Sequence, residues 1–197
     1  MNNYEYIIAS LPLLEGDAAK AFDADAILSE IRSQLGRGDD ALVELLLESS
    51  GPGSDPAAFC HKALAGRNRF LKEYAKLELA RRNAGAAYVN SRLGRPEGTD
   101  VLILSEDEEN PSVEDSDELS RIFGQTDILA REKALDDFVW KAVDRITVLD
   151  VFDIDLILAF VVKLRLAARW QALDGEAGRE LFHRLVKEMK ETRTNNE

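Results

Sequence analysis

Along most of this chain, apolar residues recur at intervals of three and four with charged residues between them, a pattern that predicts amphipathic helices. The first segment, 25–35, places Ile27, Leu28, Ile31 and Leu35 on one face, with Asp25 as its cap and Gly36 as its stop. A second begins at Asp39 or Asp40 and turns Leu42, Leu45 and Leu46 inward. Gly51-Pro52-Gly53-Ser54 breaks the pattern. Asp55-Pro56 reopens it as an N-cap followed by a first-turn proline. A long helix is predicted over 67–93, with Phe70, Tyr74, Leu77, Ala84 and Ala87 or Tyr88 along one side. Gly85 inside it costs about 1 kcal/mol relative to alanine, so it marks a bend or a close packing contact. Gly94, Arg95 and Pro96 end this helix.

Past a short apolar patch at 101–104, residues 105–116 are acidic and polar and read as a loop. Three more helices are predicted. One spans 127–146 and carries Leu129, Leu135, Phe138 and Val139. The next spans 153–173 and is apolar on most sides, which makes it the most buried; Asp153 and Asp155 are its cap and first-turn acid. The last starts near Gly175 and carries Leu181, Leu185 and Met189. Residues 4–11 (YEYIIASL) fit either a short N-terminal strand or the opening of a helix. The expected fold is all-α, a multi-helix bundle, to which the strand reading of 4–11 would add one short strand.

One internal similarity bears on domain organisation. Residues 76–82 (KLELARR) match 163–169 (KLRLAAR) at five of seven positions. The match reads either as chance between two amphipathic helices or as two related lobes, each built on one long helix. The second reading divides the chain into a helical lobe 1–96, an acidic linker 97–122, a second helical lobe 123–192 and a frayed tail 193–197.

Charge changes the picture. The formal net charge of −12 is mostly local: ten acids and no Lys or Arg lie between Glu97 and Glu118, and the rest of the chain carries about −2. Residues 61–95 lean the other way. Their Arg67, Arg69, Lys72, Lys76, Arg81, Arg82, Arg92 and Arg95 form the candidate interface, a basic face suited to an acidic protein partner or to the chain's own acidic segment. No nucleic-acid motif accompanies it, and the overall acidity opposes that partner.

Reactive chemistry is sparse. No phosphate-cradling glycine loop and no nucleophile elbow occur. Cys60 is the single cysteine, which excludes an internal disulfide and fits a reducing cytosol. The two histidines, His61 and His183, read as ordinary surface residues. Asp136-Asp137 and the Glu106–Glu109 run are the carboxylate sets that a hard cation would use, yet the calcium-loop spacing is absent and a solvated loop is the better reading. The opening residues lack the basic start of a signal peptide, and the most apolar stretch, 154–166, is broken by Asp155, Lys163 and Arg165. The expectation is a cytoplasmic, non-enzymatic protein with no cofactor, no metal and no direct membrane insertion.

A resemblance sharpens this. Asn3-Tyr4-Glu5-Tyr6-Ile7-Ile8-Ala9-Ser10-Leu11-Pro12 resembles the start of a bacterial family of unassigned function encoded within V-type ATPase operons. Phe70-Leu71-Lys72-Glu73-Tyr74 through Arg92-Leu93-Gly94-Arg95 resembles its central segment. Arg131-Glu132-Lys133-Ala134-Leu135-Asp136, Phe152-Asp153-Ile154-Asp155, Leu158-Ala159-Phe160, Lys163-Leu164 and Arg169-Trp170 resemble its C-terminal half. More distantly, the same segments are similar to the C-type stalk component of V/A-type ATPases, known as the d-type component in the eukaryotic enzyme. That resemblance implies an all-helical adaptor between rotor stalk and membrane ring, with ATPase stalk or ring subunits as partners and peripheral attachment to the membrane through the complex. It implies no nucleotide site and carries over no catalytic residue. The chain departs from the C-type stalk component in being too short for three lobes and in its acidic segment. Two other readings stand beside it: a stand-alone helical interaction or regulatory protein, and a metal-dependent enzyme with an acidic site.

Overall fold

The computed structural model describes residues 4–14, 22–49, 51, 53–103 and 113–172. Among them are eight helices and no strand: α1 (Tyr4–Ser10), α2 (Ala24–Gln34), α3 (Arg37–Glu48), α4 (Pro56–Ala65), α5 (Arg69–Leu93), α6 (Val113–Phe123), α7 (Ile128–Ile146) and α8 (Ile154–Ala172). The chain is all-α over this range, as its periodicity predicts. The helix expected after Gly175 lies outside the described residues.

The undecided N-terminal segment is a helix. Its Ile7 is buried against Ile31 of α2 and Ile157 of α8, a contact that a period-2 strand would not repeat with Tyr4, Ile8 and Leu11 on the same side. The Tyr4 hydroxyl also donates to Asp39 Oδ2 at 2.7 Å.

Several helix starts obey their caps. Asp55 accepts from the main-chain N–H groups of Ala57 and Ala58 with Pro56 in the first turn, and Asp127 does the same for Leu129 and Ala130. Asp153 Oδ1 accepts from Leu156 N at 3.2 Å, as a cap should. Two starts differ from expectation. Asp23, not Asp25, caps α2, and Asp25 is a first-turn acid. Helix α3 begins at Arg37 with Gly36 before it. Asp40 is occupied elsewhere: it takes a bidentate pair from Arg32 at 2.6 and 3.0 Å, which ties α2 to α3.

The larger correction concerns 105–116. Helix α6 starts at Val113, inside the stretch read as loop. Its first turns are rich in acids, which a helix N-terminus favours, and Leu119 and Ile122 then enter the core.

Two long helices organise the packing. Helix α5 touches α4, α6, α7 and α8, and helix α8 touches α1, α2, α3, α5 and α7. One apolar cluster joins residues of α3 through α8, from Val43 to Val162. At its centre Phe70 stacks on Tyr74 with ring centroids 5.9 Å apart, and Phe59 meets Tyr74 edge-on at 6.2 Å. Such pairs contribute roughly 0.5–1.5 kcal/mol beyond their burial. Gly85 is a close packing contact: a Cβ there would lie 3.1 Å from the Phe123 ring of α6. Gly94 ends α5 in the left-handed conformation at φ 62°. The chain then turns back along α5, where the Asn90 carboxamide donates to the carbonyls of Glu97 and Thr99.

Candidate functional site

The start of α5 grips the turn between α7 and α8. Asn68 Oδ1 caps α5 by accepting from Leu71 N at 2.8 Å, and its Nδ2 donates to Asp155 Oδ1 at 2.6 Å. Beside it, Arg69 donates from Nη1 to the carbonyl of Ile146 at 2.8 Å. Its Nη2 pairs with Asp150 and, at 3.2 Å, with Asp155. One guanidinium therefore holds the last carbonyl of α7, the middle of the turn and the first turn of α8. Thr147 is buried, and its carbonyl accepts from Asp150 N at 3.0 Å, which closes the turn on itself.

What this clamp leaves outside is apolar. Leu149 is 89% exposed, Val148 75%, Val151 73% and Phe152 48%. Phe152 has φ 50°, a left-handed conformation that costs a non-glycine residue roughly 1–2 kcal/mol. Four large apolar side chains thus stand exposed on one seven-residue connection whose backbone is tied from beneath.

Electrostatics at the clamp are unbalanced. Burial pushes the Asp155 carboxyl above its ordinary range; the hydrogen bond from Asn68 opposes this, Asp153 adds to it, Arg69 opposes it and Asp150 adds to it. The net direction says that desolvation outweighs the partners.

The α7–α8 pair is fastened at two further levels. Lys163 of α8 pairs with Asp144 of α7 and lies 4.9 Å from the centroid of the Trp140 ring. Farther from the turn, buried Asp136 accepts from Arg169 and, at 2.6 Å, from Trp170 Nε1. Asp136 thus serves as a helix-to-helix tie, while Asp137 is exposed. No group of three or more His, Cys, Asp or Glu that could hold a metal occurs among the described residues. The Glu106–Glu109 run and His183 lie outside the described residues. Cys60 is buried and His61 exposed, so these neighbours face different surroundings.

The basic residues of α5 do not form one surface. At about 100° per residue, Arg69, Lys72 and Lys76 share one side of the helix, and Arg81 and Arg92 share another. Arg69 is spent on the clamp. Lys76 pairs with Glu73 at 3.0 Å, and Arg81 with Glu78 at 2.6 Å. Glu78 also holds the Arg81 guanidinium pKa above its ordinary value. Arg92 Nε donates to the Tyr88 hydroxyl at 3.2 Å, and Arg95 lies 3.8 Å from Asp100. Arg67 and Arg82 are exposed, and Lys72 is half-buried. Leu129, expected on the inner side of α7, is 63% exposed. The apolar turn itself escaped the periodicity because its residues continue the apolar pattern of the helices on either side. The available signal was four apolar residues in a connection too short to be a helix and bounded by a cap.

The match to a family model covers residues 56–193, more than half of the chain. The chain belongs to the DUF2764 family. Its members are described as proteins of unknown function. No curated protein and no solved structure matches the chain. The matched region of this DUF2764 protein contains α4 to α8, and with them the Arg69 clamp and the turn it holds.

Proposed function

We propose that this DUF2764 protein is a non-catalytic adaptor that docks through the α7–α8 turn, and that its partner is a stalk or membrane-ring subunit of a V-type ATPase or ATP synthase. The observation that carries the docking role is the exposed set Val148, Leu149, Val151 and Phe152, held on a turn fixed by Arg69. Interfaces draw most of their energy from a few apolar anchors buried at the centre, and rigid anchors lose little entropy on binding. Three levels of fastening between α7 and α8 let the turn act as the tip of a stiff rod. The choice of partner rests on the sequence resemblance to the family of V-type ATPase operons and to the C-type stalk component. No helix among the described residues is long and apolar enough to cross a membrane, so attachment to a membrane ring is assigned to protein contact.

The test is copurification of the tagged chain from its own cells under mild detergent, with the recovered proteins identified. Recovery of ATPase stalk or ring subunits supports the proposal. Recovery of none of them, with ATP-driven ion pumping unchanged when the gene is removed, supports instead a stand-alone regulatory protein.

A further inference from the structure

At the end of α5 far from the clamp, two guanidiniums converge on one phenol. Arg92 Nε donates to the Tyr88 hydroxyl at 3.2 Å, and its Cζ lies 5.6 Å from the centroid of the Tyr88 ring. That ring stacks on Phe123 at the end of α6, with centroids 6.0 Å apart. The short 124–127 connection then brings the first turn of α7, and Arg131 with it, to the same hydroxyl. The Arg92 hydrogen bond holds the Tyr88 phenol below its ordinary pKa, burial opposes this, and Arg131 pulls the same way as Arg92.

Among the described residues no carboxylate pairs with Arg92 or Arg131. The acids of the neighbouring elements are engaged elsewhere: Asp100 lies against Arg95, Glu132 against Arg169, and Asp127 accepts from the main-chain N–H groups of Leu129 and Ala130. Two cations that share one hydroxyl repel each other, and an incoming carboxylate removes that cost. The frame around them is apolar. Val89 lies one turn before Arg92 on α5, Leu93 follows it, and Ile128 lies one turn before Arg131 on α7; all three are exposed.

We propose that Tyr88, Arg92 and Arg131 are the centre of a second docking surface, and that its partner is an acidic protein segment in which large apolar residues alternate with carboxylates. The carboxylates meet the two guanidinium forks, and the apolar residues meet Val89, Leu93 and Ile128. Arginine and tyrosine are among the side chains that carry most energy at interfaces. Helix α5 rises about 35 Å between Arg69 and Arg92, so this surface and the α7–α8 turn stand at opposite ends of the same rod and can serve two contacts at once.

The surface uses none of the residues of the turn, so either reading can fail alone. The experiment is fluorescence anisotropy with a labelled peptide of glutamates and leucines, and with a control peptide in which every glutamate is glutamine. The expected result is saturable binding of the acidic peptide that weakens with salt, falls about tenfold in Arg92→Gln combined with Arg131→Gln, and is unchanged by Leu149→Asp. The urea midpoint of the double variant should stay level or rise, because the two guanidiniums repel each other. Equal affinity for the two peptides, or full affinity in the double variant, overturns the proposal. A lowered midpoint overturns it too, by making the pair structural. Self-association lost in the double variant, or capture by vesicles of anionic lipid in place of the peptide, would assign the surface to a second copy or to a membrane and equally overturn it.

Discussion

The side chain of Asn83 pairs with the main chain of Leu102 as one peptide pairs with another: Nδ2 donates to the Leu102 carbonyl at 2.9 Å, and Oδ1 accepts from Leu102 N at 2.9 Å. Seven residues farther along α5, Asn90 takes the carbonyls of Glu97 and Thr99. Two asparagines two turns apart thus hold the turn-rich strap 97–102 against a helix. Asn83→Ala removes both bonds and is expected to cost about 1–3 kcal/mol by urea denaturation. Asn83→Asp keeps the acceptor but sets a charge against the Leu102 carbonyl, so it should fall no nearer to wild type than alanine does. A loss below about 0.5 kcal/mol in both variants would mean that the strap is not held there.

Arg69→Ala leaves the Ile146 carbonyl, Asp150 and Asp155 without their shared donor. Asp155 is buried, so the loss is expected to reach about 2 kcal/mol, with Arg69→Lys between the two because one ammonium cannot fork to three acceptors. Chemical denaturation measures both. Amide exchange should quicken at 147–153 first.

The direction of the Asp155 shift fixes a sign. Its folded-state pKa lies above the ordinary value because burial disfavours the carboxylate. The folded chain therefore holds this proton more tightly than the unfolded chain, and ionised Asp155 destabilises the fold at neutral pH. That cost shrinks as pH falls through the raised pKa. Relative to Asp155→Asn, the wild type should gain stability from pH 7 towards pH 4. The slope of the difference is the readout. A wild type that loses ground on acidification would show that Arg69 and Asn68 outweigh burial.

Gly85 is set against Phe123 at a distance that alanine would crowd by a few tenths of an ångström. Alanine is worth about 1 kcal/mol more than glycine inside a helix, and the crowding opposes it. Gly85→Ala should therefore gain little or nothing in thermal stability, and Gly85→Leu should lose about 1–3 kcal/mol as α6 is pushed from α5. A full alanine gain would mean that Phe123 yields freely.

Much of this fold is legible in the residues alone. Asp55-Pro56, Asp127 and the Gly94 stop work as their residue types dictate, because capping is local chemistry. Helix α6 was hidden because its apolar Leu119, Ile122 and Phe123 gather in its last turns, while the four acids before them read as a continuation of the acidic stretch. The basic residues of α5 divide between two sides of the helix for a different reason. Residue type reveals charge but not direction, and α5 rotates Arg69, Lys72 and Lys76 away from Arg81 and Arg92. The turn at 147–153 was hidden by its own hydrophobicity. Only the fold shows that Leu149 and Val151 point away from the core that Val143 and Ile157 enter.

The docking role of that turn is tested most directly by Leu149→Asp combined with Val151→Asp in the tagged protein. Both residues are largely exposed, so unfolding free energy should stay within about 0.5 kcal/mol of wild type. Recovery of ATPase stalk or ring subunits should drop about tenfold or more, since burying a carboxylate at an apolar contact costs well over the roughly 1.4 kcal/mol that tenfold requires. Unchanged recovery from a folded double variant, or a wild type that recovers none of those subunits, would contradict the account.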